Sequence, residues 1–283
     1  MRRTSEGRGT IGKQREGCGI AAELQQQSGH RPLDALSAAR AALSGEATSV
    51  PKTRSGPVEA IRALRVARRG AVKARTAAFN QLHGLIVSAP EELRGTLGEL
   101  RGASLAKRCA AFRVDAAVLD DALTATKAAL RATARRILAL SEEVQLADRR
   151  LLSLTTRTAP RTTSLFGVGA EVAGQLLVTA GDNPDRLRSE AAFAHLCAAA
   201  PIPASSGRTD RHRLDRGGDR AANNALYMAV VTRMRYHEPT RAYVTRRTAE
   251  GLSKSDIIRC LKRYVAREVY AAVLADFAAL HSS

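Results

Sequence analysis

At 283 residues and 45% hydrophobic content, the chain is long and apolar enough to bury a core, which excludes a wholly disordered polymer. Its 45 Lys and Arg against 27 Asp and Glu leave a formal charge of +18, which selects polyanions as partners, nucleic acid first. No apolar run long enough to span a bilayer and no secretory leader pattern occurs, so no membrane partner is expected and the chain is placed in the cytoplasm. Aromatic residues make up 4% and tryptophan is absent, which favours backbone contact over ring stacking as the binding mode.

Residues 1–30, rich in Gly, Gln, Ser and Arg, hold no sustained apolar period and read as loop, with a short helix at 20–27. Pro32 then opens a helix with Leu33, Leu36, Ala39 and Leu43 near helical spacing, which Gly45 ends. Asp34, in its first turn, is either a carboxylate favoured by the helix dipole or a metal ligand. After a linker bracketed by Pro51 and Pro57 a long helix runs to about Val87. Its Ile61, Leu64, Ala67, Ala71, Ala74, Ala78, Leu82 and Leu85 make an alanine-rich seam that allows close helix approach. The other face is expected to carry Arg62, Arg65, Arg68, Arg69, Lys73 and Arg75, mutually repelling cations suited to nucleic-acid backbone.

Residues 90–112 read as one or two short helices broken at Gly95, Gly98 and Gly102. Ala116, Leu123, Leu130, Ile137, Val144 and Leu151 then recur every seventh residue, with Leu119, Thr126, Thr133, Leu140, Ala147 and Leu154 three further on, a coiled-coil pattern. This helix either folds back on the first or pairs with another subunit; spacing leaves both open.

From Pro160 the string TTSLFGVGAEVAGQLLVTAG puts Gly167 and Gly169 between two apolar segments, like the hairpin of a helix-hairpin-helix whose amides touch DNA phosphates. A plain turn before a helix is the alternative. Ser189 reads as the N-cap of EAAFAHLC, and Pro201 and Pro203 stop that helix. Residues 205–220, SSGRTDRHRLDRGGDR, set two hydroxyls beside Arg208, Arg211, Arg213, Arg216 and Arg220, with His212 among them and Gly217 and Gly218 opening a helix. Guanidinium forks match phosphate oxygens and glycines admit close backbone approach, so a phosphodiester near Ser205 or Ser206 is the natural ligand; a solvated basic loop is the competing reading. Three helices follow at 221–236, 240–250 and 255–279. The last has a capping-box pattern from Ser253 to Asp256 and an expected buried face of Ile257, Leu261, Tyr264, Val265, Val269, Val273 and Phe277. No alternating strand pattern is strong. Cys18, Cys109, Cys197 and Cys260 lack metal-ligand spacing, and the last three are expected to be buried free thiols.

The order LFGVGAEVAGQLLVTAGDNPDRLRSEAAFAHLC, ASSGRTDRHRLDRGGDRAANNALYMAVV, RAYVTRRTAEGLSKSDIIRCLKRYVAREVY resembles the C-terminal domain of insertion-sequence 110/116/902 family transposases. The upstream PKTRSGPVEAIRALRVARRGAVKARTAAFNQL resembles that family's linker and basic coiled-coil arm. The resemblance implies a mainly α chain in three parts. Residues 1–50 would be a disordered segment and a remnant of an acidic, resolvase-like RNase H domain, otherwise largely missing. Residues 51–158 would be a basic helical linker and coiled coil, and residues 159–283 a C-terminal serine transposase domain with a helix-hairpin-helix-like element. It implies a DNA transposase in which Ser206 matches the nucleophile and strands are cut and rejoined through a covalent phosphoserine. An Asp-Glu-Asp-Asp tetrad would hold Mg2+ in intact members. Element-end and target DNA and a structured guide RNA would be the partners, with homo-oligomers or mixed oligomers formed through the coiled coil. The family's GKSDPLDA is SGHRPLDA here: Asp34 fits the final acid, whereas Arg31 stands where the preceding Asp is expected. The resemblance thus implies an N-terminally truncated transposase that binds no metal and cleaves nothing alone. Ala198 stands where the family has a glycine after Cys197. The alternative is a non-catalytic DNA- and RNA-binding regulator, or a pseudogene fragment, in mixed oligomers with an intact transposase.

Overall fold

A computed structural model describes residues 31–45, 55–182, 187–205, 207 and 212–281. The chain divides into two units, Met1–Pro51 and Lys52–Ser283. In the first, helix α1 (Arg31–Leu43) has Pro32 in its first turn, where a missing amide breaks no intrahelical bond, and Gly45 leaves it at φ +72°. The helix expected at 20–27 lies outside the described residues.

The second unit is built on two long helices, α2 (Gly56–Val87) and α5 (Ala122–Thr158). Arg68 meets Asp148 and Gln81 meets Arg136, so numbers rise along one helix as they fall along the other: the pair is an antiparallel hairpin within one chain. Two short helices, α3 (Glu91–Leu97) and α4 (Gly102–Ala110), close its tip. The chain breaks between them at Gly98, the C-cap of α3, and Gly102 opens α4 at φ +55°, whereas Gly95 stays inside α3. Leu82, Leu97, Leu105, Leu130 and Ile137 are buried together there, each contributing roughly 1.5–3 kcal/mol relative to exposure.

The structure redraws one boundary and one buried face of the sequence reading. α5 starts at Ala122, because the Asp121 carboxylate accepts from the Thr124 amide and hydroxyl; Ala116–Val118 form only a 3-10 turn, leaving Leu119 exposed. On α2 the buried stripe runs through Val58, Ile61, Ala71, Ala78 and Leu82, while Ala67 and Ala74 face outward.

The base of the hairpin shares one core with the C-terminal helices: Val58, Ile61 and Leu151 pack with residues of α7 (Ala170–Ala180), α8 (Glu190–Leu196), α9 (Arg220–Tyr236) and α11 (Lys254–His281). Gly174 lies at this contact, where a Cβ would stand 3.4 Å from Ile61 and Thr155. A short α6 (Pro160–Ser164) joins α5 to the rest. The buried Asp276 carboxylate of α11 fixes it by accepting from the Arg161 amide (3.1 Å) and from the Thr162 amide and hydroxyl (2.9 and 2.7 Å). α10 (Glu238–Ala249) links α9 to α11. At the start of α11 Ser253 Oγ donates to Asp256 and accepts from the Asp256 amide, the capping box expected. Its apolar face is buried as expected except for Tyr264, which is 46% exposed; Lys262 and Asp276 are buried on it instead. A two-strand antiparallel ribbon, β1 (Ile202–Pro203) and β2 (His212–Arg213), pairs Ile202 with Arg213 and Pro203 with His212. Cys109 and Cys197 are buried free thiols, whereas Cys260 is only half-buried. No described helix is long and apolar enough to cross a membrane.

Candidate nucleic-acid interface

The six cations of α2 divide by the turn of the helix on which they sit. Arg65 and Arg68 stand four and seven residues after Ile61 and so lean into the hairpin base. Arg65 donates to the Glu171 carbonyl (2.9 Å) and to Gln175 Oε1 (3.0 Å) and pairs with the Glu171 carboxylate (3.0 Å). Arg68 pairs with Asp148. Arg62 makes a fork with Glu59 at 2.8 and 2.9 Å. Arg69 and Lys73 are exposed and Arg75 half-buried, and none of the three forms an ion pair among the described residues. These last are the arm cations whose charge is not already neutralised within the fold.

Gly167 and Gly169 have different duties. Gly167 sits at φ +77°, and a Cβ there would lie 3.0 Å from the Ala229 carbonyl, so it seats the hairpin turn on α9. The buried Arg233 completes that seat, donating to the Phe166 carbonyl at 2.8 Å and forking to Glu268 at 3.0 and 2.7 Å. Gly169 is the exposed N-cap of α7, with open space where a Cβ would be.

The Ser-Gly-Arg segment connects the two strands of the ribbon. Ser206, Arg208 and Arg211 lie outside the described residues, as does the side chain of Asp34; Ser205 is exposed and engaged, and Gly207 is at φ +52°. Arg213, Arg216 and Arg220 are exposed and form no ion pair among the described residues.

Both ends of this excursion are pinned at one point, the C-terminus of α8. The Ala199 amide donates to the Ala194 carbonyl (2.8 Å) and the Ala198 amide to the His195 carbonyl (2.9 Å), a Schellman turn that puts Ala198 at φ +52°. The returning chain covers the same turn. The Asp219 amide donates to the Leu196 carbonyl (2.8 Å), and Asn223 Nδ2 to the Ala198 carbonyl (2.6 Å). At Gly218 a Cβ would fall 2.3 Å from the His195 carbonyl and 2.4 Å from the Ala198 nitrogen, which only glycine tolerates. Asp219 caps α9 through the Ala221 amide (2.7 Å) and accepts from Thr179 of α7 at 2.6 Å. Asp215 bonds the Gly217 amide (2.9 Å) and meets His195 at 3.3 Å. Burial, with the Asp219 charge beside it, pushes the Cys197 thiol up to about 12, so it is no nucleophile at this spot.

Sequence reading did not single out Asn223, Arg259 or Lys262. Lys262 Nζ donates to Asn223 Oδ1 at 3.0 Å, and Arg259 Nη1 reaches the His212 carbonyl of β2 at 3.3 Å. Burial, and next the Arg259 charge, hold the Lys262 ammonium below its ordinary pKa. One signal was available: Lys262 stands three residues before Val265, on the apolar face of α11. Among the described residues no three His, Cys, Asp or Glu gather where a metal ion would fit.

A family comparison falls on this same region. The model of the transposase IS116/IS110/IS902 family matches residues 159–245, from the start of α6 through the ribbon to α10. A curated protein of Streptomyces coelicolor, described as the insertion element IS110 uncharacterized 43.6 kDa protein, is 33% identical over 107 residues, 37% of this chain. The match spans 26% of that relative's own length.

Proposed function

We propose, from the premise that residues 159–245 belong to the IS116/IS110/IS902 transposase family, that this chain serves insertion-sequence recombination by holding DNA and presenting Ser206 to a scissile phosphate. The observation that carries the reading is the double pinning of the serine excursion: Ala198, Gly218, Asp219 and Asn223 hold its two ends against one helix terminus, a rigid mount for a reactive loop. In the step proposed, the Ser206 hydroxyl releases its proton to water as its oxygen attacks phosphorus and an O–P bond forms. The bond from phosphorus to one deoxyribose oxygen breaks, and that oxygen leaves as a hydroxyl after taking a proton. A hydroxyl from a second strand end then attacks the phosphoserine and restores Ser206. Arg213, Arg216 and Arg220 would hold the neighbouring phosphates.

Mg2+, where supplied by an acidic tetrad, would stabilise charge on the phosphorane and help deprotonate the serine. In sequence Asp34 fits the tetrad's final acid, and Arg31 stands where the preceding acid is expected. In this reading the acids act from another polypeptide in a mixed oligomer, with this chain donating Ser206 in trans and a structured RNA as a further ligand. The test mixes the chain with a family member that carries the acids but has its own serine changed to Ala, on labelled element-end DNA with Mg2+. A covalent protein–DNA band from this chain, lost with Ser206→Ala, is expected. DNA binding without any such band would instead support the second reading, a non-catalytic binder, which Arg31 at the acid's position favours.

A further inference from the structure

Lys262 is a buried cation whose pairing is incomplete. It is 6% exposed, its one hydrogen bond among the described residues goes to a neutral amide, and the charge that acts on it, Arg259, has the same sign. Burying an ammonium costs several kcal/mol unless an anion meets it, so a fold that keeps one here is organised around an anion it does not itself supply among these residues. The surroundings say where that anion would sit. Arg259 and Lys262 are three residues apart on one face of α11. Arg259 touches the carbonyl of His212 on β2, and Lys262 holds Asn223, whose amide caps the Ala198 carbonyl ahead of β1. The pair thus lies beside the ribbon that carries the Ser-Gly loop: Arg259 contacts β2 directly, and Lys262 reaches the chain ahead of β1 through Asn223. Arg259 has an acidic partner of its own in Asp256; Lys262 forms no ion pair among the described residues.

We propose that Lys262 and Arg259 form a phosphate-binding pair at the foot of the serine ribbon, receiving a non-bridging oxygen of a DNA phosphodiester. Arg259, 37% exposed, would meet the phosphate first and Lys262 would hold it once water is excluded. The proposal deepens the reading of the loop as a DNA-handling site and rests on it for the identity of the ligand, whereas the presence of an anion site does not.

The experiment uses thermal melting of the full chain and of Lys262→Met, in chloride and in inorganic phosphate at equal ionic strength, together with duplex binding across a salt series. Phosphate is expected to raise the wild-type Tm by about 2–4 °C over chloride, the size of effect that moderate site occupancy gives. Lys262→Met is expected to melt no lower than wild type in chloride and to lose the phosphate shift, because it removes the unpaired charge. It should also bind duplex roughly tenfold more weakly, with a salt slope smaller by about 1. A lysine that merely orients Asn223 gives the opposite: the variant melts lower in chloride and keeps the phosphate shift, which overturns the proposal. If Lys262→Met does not fold, Arg259→Ala, on the exposed half of the pair, must still reduce the phosphate shift. An unchanged shift in that variant overturns the proposal as well. The loop's own acid is the remaining rival: should Asp210→Asn lower the Tm in chloride in wild type but not in the Lys262→Met background, the missing anion is that carboxylate and the proposal fails. A phosphate shift lost on mutation without any duplex binding by wild type would keep the anion site and remove the DNA reading instead.

Discussion

Ala198 is a non-glycine residue at the glycine position of a Schellman turn, and that turn anchors the serine excursion. A Cβ in the left-handed region costs on the order of 1–2 kcal/mol, of which glycine returns part through the greater freedom of its unfolded chain. Ala198→Gly is therefore expected to stabilise the fold by about 0.5–1 kcal/mol, read as a higher midpoint in urea; an unchanged or lower midpoint would show that the turn is not strained. The sequence announced this position only through the resemblance, since an alanine after a cysteine carries no signal of φ. Gly218 was visible as half of a glycine pair, but the carbonyl of His195 that makes it obligatory lies 23 residues earlier in the chain.

Among the elements, capping and breaking residues were legible and facing was not. Ser189, Ser253, Gly45 and Gly98 mark ends by chemistry local to a few residues, and all four act there in the structure. The sequence groups the cations of α2 by charge, whereas the structure separates them by helical angle. Arg65 and Arg68 share the face of Ile61, and their partners, Glu171, Gln175 and Asp148, come from elements far along the chain. This divides the arm into two testable groups. Arg65→Ala breaks the tie between α2 and α7 and is expected to destabilise by about 1–3 kcal/mol while leaving the salt slope of DNA binding nearly unchanged. Arg69→Ala with Lys73→Ala is expected to do the reverse, leaving the urea midpoint alone and lowering the slope by up to about 1.8. Equal effects of the two variants on the slope would show that Arg65 leaves Glu171 to meet phosphate.

At the scale of the whole second unit, two of the cationic groups that the sequence singles out form no ion pair among the described residues: Arg69, Lys73 and Arg75 on the hairpin arm, and Arg213, Arg216 and Arg220 around the ribbon. The hairpin base and the ribbon's supporting helices share one core, so neither group needs a folding step to become available when the other binds. A nucleic acid long enough to reach both should therefore release the counterions of each, roughly 0.9 per phosphate neutralised. Replacing the arm group by Ala is expected to lower the salt slope for a long duplex by up to about 2.7, replacing the ribbon group by a similar amount, and replacing both by about the sum. A short duplex that reaches only one group separates the cases, because one of the two replacements then has no effect. If either replacement alone abolishes the slope on the long duplex, the other group does not touch nucleic acid, and the two-surface reading fails at that group.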